Sequence, residues 1–269
     1  MIVSLDGGRR RLPGLKGLAP SLLTTVGLLA VLELVCTVGV VSPKTFPAPT
    51  AIIADLWSEL HQAGLWTALE GTLTGWLAGF GLAAAVGVPF GLLIGGFSTL
   101  YRSVRLVIEF LRPIPTVAVL PVVVLVLGTG PTMKILLVAF AALWPILFQA
   151  MYGIIDVDPL AIDAARAYGL TGTQRFKQIV LPSTLAYLAT GFRLSIAVAL
   201  SVDVAVEMIL GTNGLGYLIN NEQYAGRLGV MYGIVAVAGI IGFIANRLFR
   251  SLEARALHWH AGYRKSQFA

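Results

Sequence analysis

Charge and cysteine are what this 269-residue chain has least of. Only 12% of its residues are charged, against 57% hydrophobic. A soluble domain carries about 25% charged residues, so this chain cannot clothe a folded surface in polar groups. The scarcity excludes a soluble globular domain and indicates a polytopic membrane protein. One cysteine, Cys36, excludes an internal disulfide, and its apolar setting reads as a small packed residue without redox chemistry. No Cys-x-x-Cys pair or histidine cluster offers metal-ligand spacing, and His258 and His260 around Trp259 read as an interfacial tail. A phosphate loop needs Gly-x-x-x-x-Gly-Lys followed by Ser or Thr. The stretch from Gly128 to Lys134 has glycines and a lysine, but no glycine stands immediately before the lysine. The expectation is a chain with no catalytic residues, no metal and no cofactor of its own.

What the chain does have is long apolar runs. A spanning helix needs about 20 mainly apolar residues, and six segments qualify, at 18–41, 66–97, 103–127, 131–153, 184–211 and 229–250. Arg9, Arg10, Arg11 and Lys16 precede the first and give it the look of a signal peptide. Its apolar run is longer than a cleavable core, and no small-x-small site follows, so it reads as an uncleaved span. With the N-terminus inside, fourteen Lys and Arg residues fall on the inner side. Three, Lys44, Lys134 and Arg227, fall outside, with Arg112 and Arg193 near or within spans. The positive-inside rule then places both termini in the cytoplasm. The net charge of +6 is absorbed by topology and by anionic lipid headgroups, and no nucleic acid is needed to explain it. The organisation is a basic tail, 1–17, and one membrane domain, 18–269, whose polar inner loop covers 156–183.

Three features within the apolar segments stand out. In the second, Gly71, Gly75 and Gly79, then Gly87, Gly91 and Gly95, recur every four residues. Such ladders let helices approach closely. On a straight helix the two ladders lie on nearly opposite faces, which predicts two different neighbours. In the outer loop 42–65, Ile52, Ile53, Leu56, Trp57 and Leu60 have helical spacing, with Thr50 as the expected N-cap. Glu33 sits in the first span with no evident partner.

The inner loop is a polar stretch between two apolar segments, and local signals give it a shape. Asp158 caps a helix whose first position is Pro159. Leu160, Ala164 and Ala167 share one face, and Ala161, Ala164 and Ala165 permit close approach. Gly169 suits a left-handed terminus. A second short helix is expected from Thr173, presenting Phe176, Ile179 and Val180 and broken by Pro182 before the fifth span. The result is a helix-turn-helix elbow with an apolar ridge.

The spacing Asp163-Ala164-Ala165, three residues, Gly169, nine residues, Ile179-x-Leu181-Pro182 resembles the EAA loop of ABC importer permeases, with Asp163 in place of Glu. The segments Phe46-Pro47-Ala48-Pro49, Arg112 to Pro121, Gly128 to Ile135, Ala205 to Met208 and Gly214 to Ile219 are similar to stretches of the sulfonate/nitrate/taurine-type permeases. Val126-Leu127 replaces that type's usual Trp-Phe. The resemblance implies an all-α polytopic membrane protein with six transmembrane helices. It would have a type I importer (MetI-like) core and a cytoplasmic coupling helix. It also implies two permease copies, two separate ATP-binding subunits that hold ATP and Mg, and an external solute-binding protein, in the bacterial cytoplasmic (inner) membrane. Pro159, Leu160, Asp163, Ala164, Ala165, Ala167, Gly169, Phe176, Ile179, Leu181 and Pro182 would meet the ATPase. Asp keeps the charge of the family's Glu with a shorter reach.

Two further sites are expected. Ser195, Ala199, Asp203 and Glu207 recur every four residues in the fifth span, and carboxylates at membrane depth usually face a cavity or a partner. The stripe reads either as the lining of a translocation pathway or, for Glu207, as a structural group that caps amides or pairs with Lys134 or Arg227. Two carboxylates would oppose a small anion. Pro113, Pro115 and Pro121, with Ile114, Val117 and Leu120, read as a movable apolar constriction or as a static kink. Glu109 and Arg112, three apart, are expected to pair. A stand-alone secondary transporter or channel is the rival, active without ATP.

Overall fold

The computed structural model describes residues 15–42 and 45–257, with side chains from residue 23 onward. Most of the basic tail, and His258 and His260, lie outside the described residues. Among the described residues eleven helices follow one another: α1 (Leu15–Thr37), α2 (Pro49–Glu59), α3 (Ala63–Gly96), α4 (Ser98–Leu111), α5 (Thr116–Leu127), α6 (Pro131–Ile155), α7 (Pro159–Ala167), α8 (Gly172–Arg175), α9 (Leu181–Leu210), α10 (Leu215–Tyr224) and α11 (Leu228–Ala256). A π-helical turn, Phe176–Val180, joins α8 to α9.

Among the described residues, α3, α6 and α11 are each long and apolar enough to cross a membrane. Two bent pairs raise the number to five if each is one span, and Leu23–Thr37 adds a shorter apolar helix. The expected third span, 103–127, is not one helix. The axes of α4 and α5 meet at 93°, because residues 112–115 include Pro113 and Pro115. Pro115 is the N-cap of α5 with ψ 126°, an extended conformation that ends the preceding helix. The fifth apolar stretch lies within α9, and α10 continues from it after a 45° bend.

The core is built on α3, α6 and α9. Trp76, Ala83, Val138, Ala142, Ile146, Ala199 and Leu200 form its central cluster. Trp76 Nε1 donates to the Ile196 carbonyl at 2.9 Å, and Ser195 Oγ to the Ala142 carbonyl at 2.6 Å. Five of the six ladder glycines face α6 and Gly71 meets the Asn213 backbone, so the two neighbours do not divide between the ladders as expected. An added Cβ at Gly79 would lie 2.5 Å from Val138, at Gly87 3.0 Å from Ile146, at Gly91 2.5 Å from Ala150 and at Gly95 2.6 Å from the Met151 carbonyl. The contacts advance together along both helices, so α3 and α6 run parallel. A stripe with a period of four drifts around a helix of 3.6 residues per turn. The straight-helix projection separated ladders that a coiled pair keeps together.

On the side where α2 lies, the expected cap is also corrected. Helix α2 begins at Pro49 with Ala48 in the N-cap position, and the Thr50 side chain caps nothing. The Thr50 backbone N–H donates to Glu33 at 3.1 Å and its hydroxyl at 2.7 Å. Glu33 thus finds its partner at the start of a neighbouring helix, where orphan amides and the helix dipole favour a carboxylate.

Candidate functional site

The elbow between α6 and α9 forms as its local signals dictate. The Asp158 side chain accepts from Leu160 N at 2.9 Å, with Pro159 opening α7. At the other end Gly169 has φ +76°. Its N–H donates to the Arg166 carbonyl at 2.9 Å, and Leu170 N–H to the Ala165 carbonyl at 3.0 Å. This is a Schellman terminus, in which a left-handed residue satisfies the last carbonyls. Helix α8 starts at Gly172, one residue before the expected Thr173, because Thr171 is its N-cap and completes a capping box with Gln174.

Pro182 does not break the chain into a separate helix. The turn before it widens: Leu181 N–H donates to the Phe176 carbonyl, five residues back. A proline inside an α-helix removes a bond and crowds the carbonyl four residues earlier. The π turn absorbs both effects, and α9 runs on.

The elbow's surface is apolar and open. Leu160 is 76% exposed, Tyr168 85% and Phe176 40%, with Ala164 and Ala167 exposed beside them. Ala165 is buried and anchors α7; Ile179, Leu181 and Pro182 are half-buried. Asp163 points outward and pairs with Arg166 at 2.8 Å. Behind the elbow, Tyr187 donates to Asp156 at 3.0 Å and Thr184 to the Gly153 carbonyl at 2.9 Å, so α6 and α9 are tied where the elbow leaves them.

The polar stripe of α9 is turned inward. Ser195, Ala199, Asp203 and Glu207 are all fully buried within the chain against α3 and α6, and in this structure they line no open space. Their face is the one on which α3 and α6 pack. Lys134, counted outside by the topology argument, reaches into this cluster instead. Its Nζ lies 2.7 Å from Glu207, 2.8 Å from the Gly71 carbonyl and 3.6 Å from Asp203. Glu207 also accepts from the Thr72 hydroxyl at 2.9 Å and from Gly216 N at 2.9 Å, while Leu215 N donates to Thr72 at 2.8 Å. The structural alternative for Glu207, amide capping plus Lys134, is what the geometry contains. Neither oxygen of Asp203 has a hydrogen-bond partner among the described residues. Thr72 was invisible to sequence reasoning. Only its contact with a residue 135 positions away gives it a role.

The gate residues divide. Pro113, Ile114 and Pro115 lie at the break between α4 and α5, so they turn the chain and do not kink a continuous helix. Leu120 is buried with Met133, Leu137 and Val206, whereas Val117 and Pro121 are exposed. Glu109 pairs with Arg105 at 2.7 Å, not with Arg112. Arg112 instead lies over the Phe148 ring at 4.6 Å. Among the described residues no group of three His, Cys, Asp or Glu side chains could hold a metal ion.

The described residues thus form an all-helical bundle with broken apolar spans and an exposed apolar elbow between α6 and α9. Residues 87–258 match the family described as binding-protein-dependent transport system inner membrane component, and the chain belongs to that family. It is 31% identical over 260 residues to the taurine transport system permease protein TauC of Escherichia coli (strain K12), covering 93% of this chain and 94% of that one. It is 29% identical to the putative aliphatic sulfonates transport permease protein SsuC of Bacillus subtilis (strain 168), over 95% and 91%. It is also 29% identical to the nitrate import permease protein NrtB of Synechocystis sp. (strain ATCC 27184 / PCC 6803 / Kazusa), over 71% and 70%. The fold is similar to the inward-facing MetNI methionine ABC transporter, with a TM-score of 0.59 at 20% identity, over 78% of this chain and 98% of that chain. The chain is the membrane permease of an ABC importer. ATP hydrolysis resides in a separate subunit, and a substrate-binding partner completes the system.

Proposed function

We propose that this permease imports a small sulfonate, taurine-like compound, nitrate-like anion or vitamin precursor delivered by an external binding protein. Two copies and two ATPases carrying ATP and Mg complete the complex. The elbow α7–α8 is its coupling element, and both termini lie in the cytoplasm of a bacterial inner membrane. The observation that carries the coupling role is the exposed ridge of Leu160, Ala164, Ala167 and Phe176 on a base fixed by Ala165 and the Gly169 terminus. Asp163 takes part through its pairing with Arg166, which holds the charge at the surface. The substrate class rests on the taurine, sulfonate and nitrate names of relatives similar over most of the chain. At the α4–α5 turn, Pro113, Ile114, Pro115 and Val117 form a hinged constriction, with Leu120 fixing α5 against α6 and Pro121 on the exposed side of α5.

The test is co-purification with the cognate ATPase. Ala164→Trp adds bulk to an exposed position, and Gly169→Pro removes the positive φ and the N–H that closes α7. Both should abolish capture while leaving the permease folded in detergent. An intact complex in both variants would overturn the docking role. Transport without any ATPase would favour the channel or secondary-transporter reading. Thermal-shift screening of the binding protein against the four compound classes decides the substrate.

A further inference from the structure

We infer that α4 is an in-plane helix that binds the anionic headgroups of the leaflet on the elbow's side. The assignment of that leaflet to the cytoplasm rests on the orientation proposed above.

The position of α4 comes from its packing. Ile108, with Leu100, Tyr101 and Val104, packs on Ile94, Leu147, Phe148 and Met151. Ile94 lies in the last turn of α3, and Phe148 lies 17 residues along α6, about 25 Å from its start. A bilayer core is about 30 Å thick, so α4 rests close to the boundary from which the elbow projects. Helix α5 returns alongside α6 through the short turn 128–130, and α4 stands at 93° to α5. A helix perpendicular to a neighbour that runs along a spanning helix lies across the membrane normal.

The surface of α4 divides into three sectors. At about 100° per residue, Leu100, Tyr101, Val104, Ile108 and Leu111 share the sector turned to the protein. Leu106, Val107 and Phe110 share a second, and they are 76%, 56% and 74% exposed. Arg102, Arg105 and Glu109 share a third. A spanning helix has no use for the charged sector, and a water-exposed one would not tolerate the second. One face on protein, one on acyl chains and one at headgroup level suits an interfacial helix. The apolar sector continues through exposed Phe97 to Phe90 and Leu93 of α3, so its occupant is the lipid that covers that helix. The charge identifies the headgroup. Glu109 neutralises Arg105 in part, whereas Arg102 has no ion pair among the described residues and Arg112 adds a third cation. A net positive strip at this depth fits anionic lipid. Because α4 and Arg112 touch the end of α6 that leads into the elbow, lipid charge would act on coupling.

The test uses the full permease, in a Cys36→Ala background, with single labelled cysteines at Thr99, Leu106 and Phe110. These positions lie within about 40° of one another but are spread over about 16 Å of helix. Quenching by brominated lipid should report equal depth at all three. A label at 106 should be quenched more strongly by brominated phosphatidylglycerol than by brominated phosphatidylcholine. That preference, expected at roughly fivefold, should fall towards one in Arg102→Gln/Arg105→Gln. A depth that changes steadily from 99 to 110 would show a crossing helix and overturn the inference. So would labels shielded from every lipid, which would mark a protein contact, or equal depth without headgroup preference. If the orientation alone is wrong, the labels stay level but respond only to brominated lipid in the outer leaflet.

Discussion

Lys134 and Glu207, 73 positions apart, meet at 2.7 Å inside the bundle, with Asp203 3.6 Å from the same ammonium. One cation therefore holds two carboxylates away from water. The same pair ties four elements: Gly71 and Thr72 on α3, Lys134 on α6, Glu207 on α9 and the first amides of α10. Breaking a buried pair from one side leaves the other charge uncompensated, at about 3–5 kcal/mol. Lys134→Met should be the more damaging change, because two carboxylates lose their counter-charge. Glu207→Gln should cost less but still lower the thermal unfolding midpoint, since an amide cannot accept from both Lys134 and Gly216. The double change Lys134→Met/Glu207→Leu should recover part of the loss. A double variant no better than Lys134→Met would show that the carboxylates do not depend on the lysine.

The α3–α6 contact predicts opposite signs at two glycines on one helix. A Cβ at Gly91 meets Ala150 at 2.5 Å and the Leu147 carbonyl at 2.6 Å, whereas one at Gly81 meets nothing within 4 Å. Gly91→Ala should destabilise the permease, because backbone faces the added methyl. Gly81→Ala should be neutral or stabilising by up to about 1 kcal/mol, the helix cost of glycine. Unfolding midpoints in one detergent decide it, and equal effects at the two sites would sink the close-packing account.

The elbow was legible because its determinants are local. Asp158, Pro159 and Gly169 act within one helical turn, so their spacing in the chain is their spacing in space. The ionic cluster was half legible: the period of α9 announced Asp203 and Glu207, but not that their face turns inward. That depends on Thr72 and Lys134, which come from two other helices. The break at residues 112–115 is written in prolines, yet proline alone does not separate a kink from a right-angle turn. The three-sector pattern of α4 does, once the inward-facing residues are known.

Glu33 gives a local prediction. Its carboxylate takes both the amide and the hydroxyl of Thr50, holding α1 to the start of α2. Loss of a cap of this kind costs about 1 kcal/mol. Glu33→Ala should raise hydrogen exchange at the Thr50 amide and over the first turn of α2, with the core of α3 and α6 unaffected. Thr50→Val should do the same more weakly, since its amide bond survives. Unchanged exchange at Thr50 in Glu33→Ala would show that water replaces the carboxylate without loss.

The last prediction concerns how the elbow's direction is set. Between α8 and α9 the chain spends one extra residue in the π turn Phe176–Val180, and Pro182 is the residue that makes the wide turn favourable. With Pro182→Ala the missing N–H returns and the ring no longer crowds the preceding carbonyl, so an α-helical turn becomes the better alternative. Relaxation would remove one residue from the turn and rotate α8 by about 100° relative to α9. The caps at Asp158 and Thr171 and the Schellman terminus at Gly169 would remain, so the elbow keeps its own shape while changing its aim. Permease abundance and unfolding midpoint should therefore stay close to the parent, and the ATPase should still co-purify. The number of solute molecules imported per ATP hydrolysed in proteoliposomes should fall several-fold. Full coupling in Pro182→Ala would show that the π turn serves only to accommodate the proline. Loss of the complex itself would mean that the ATPase reads the direction of α8 before it reads the ridge of α7.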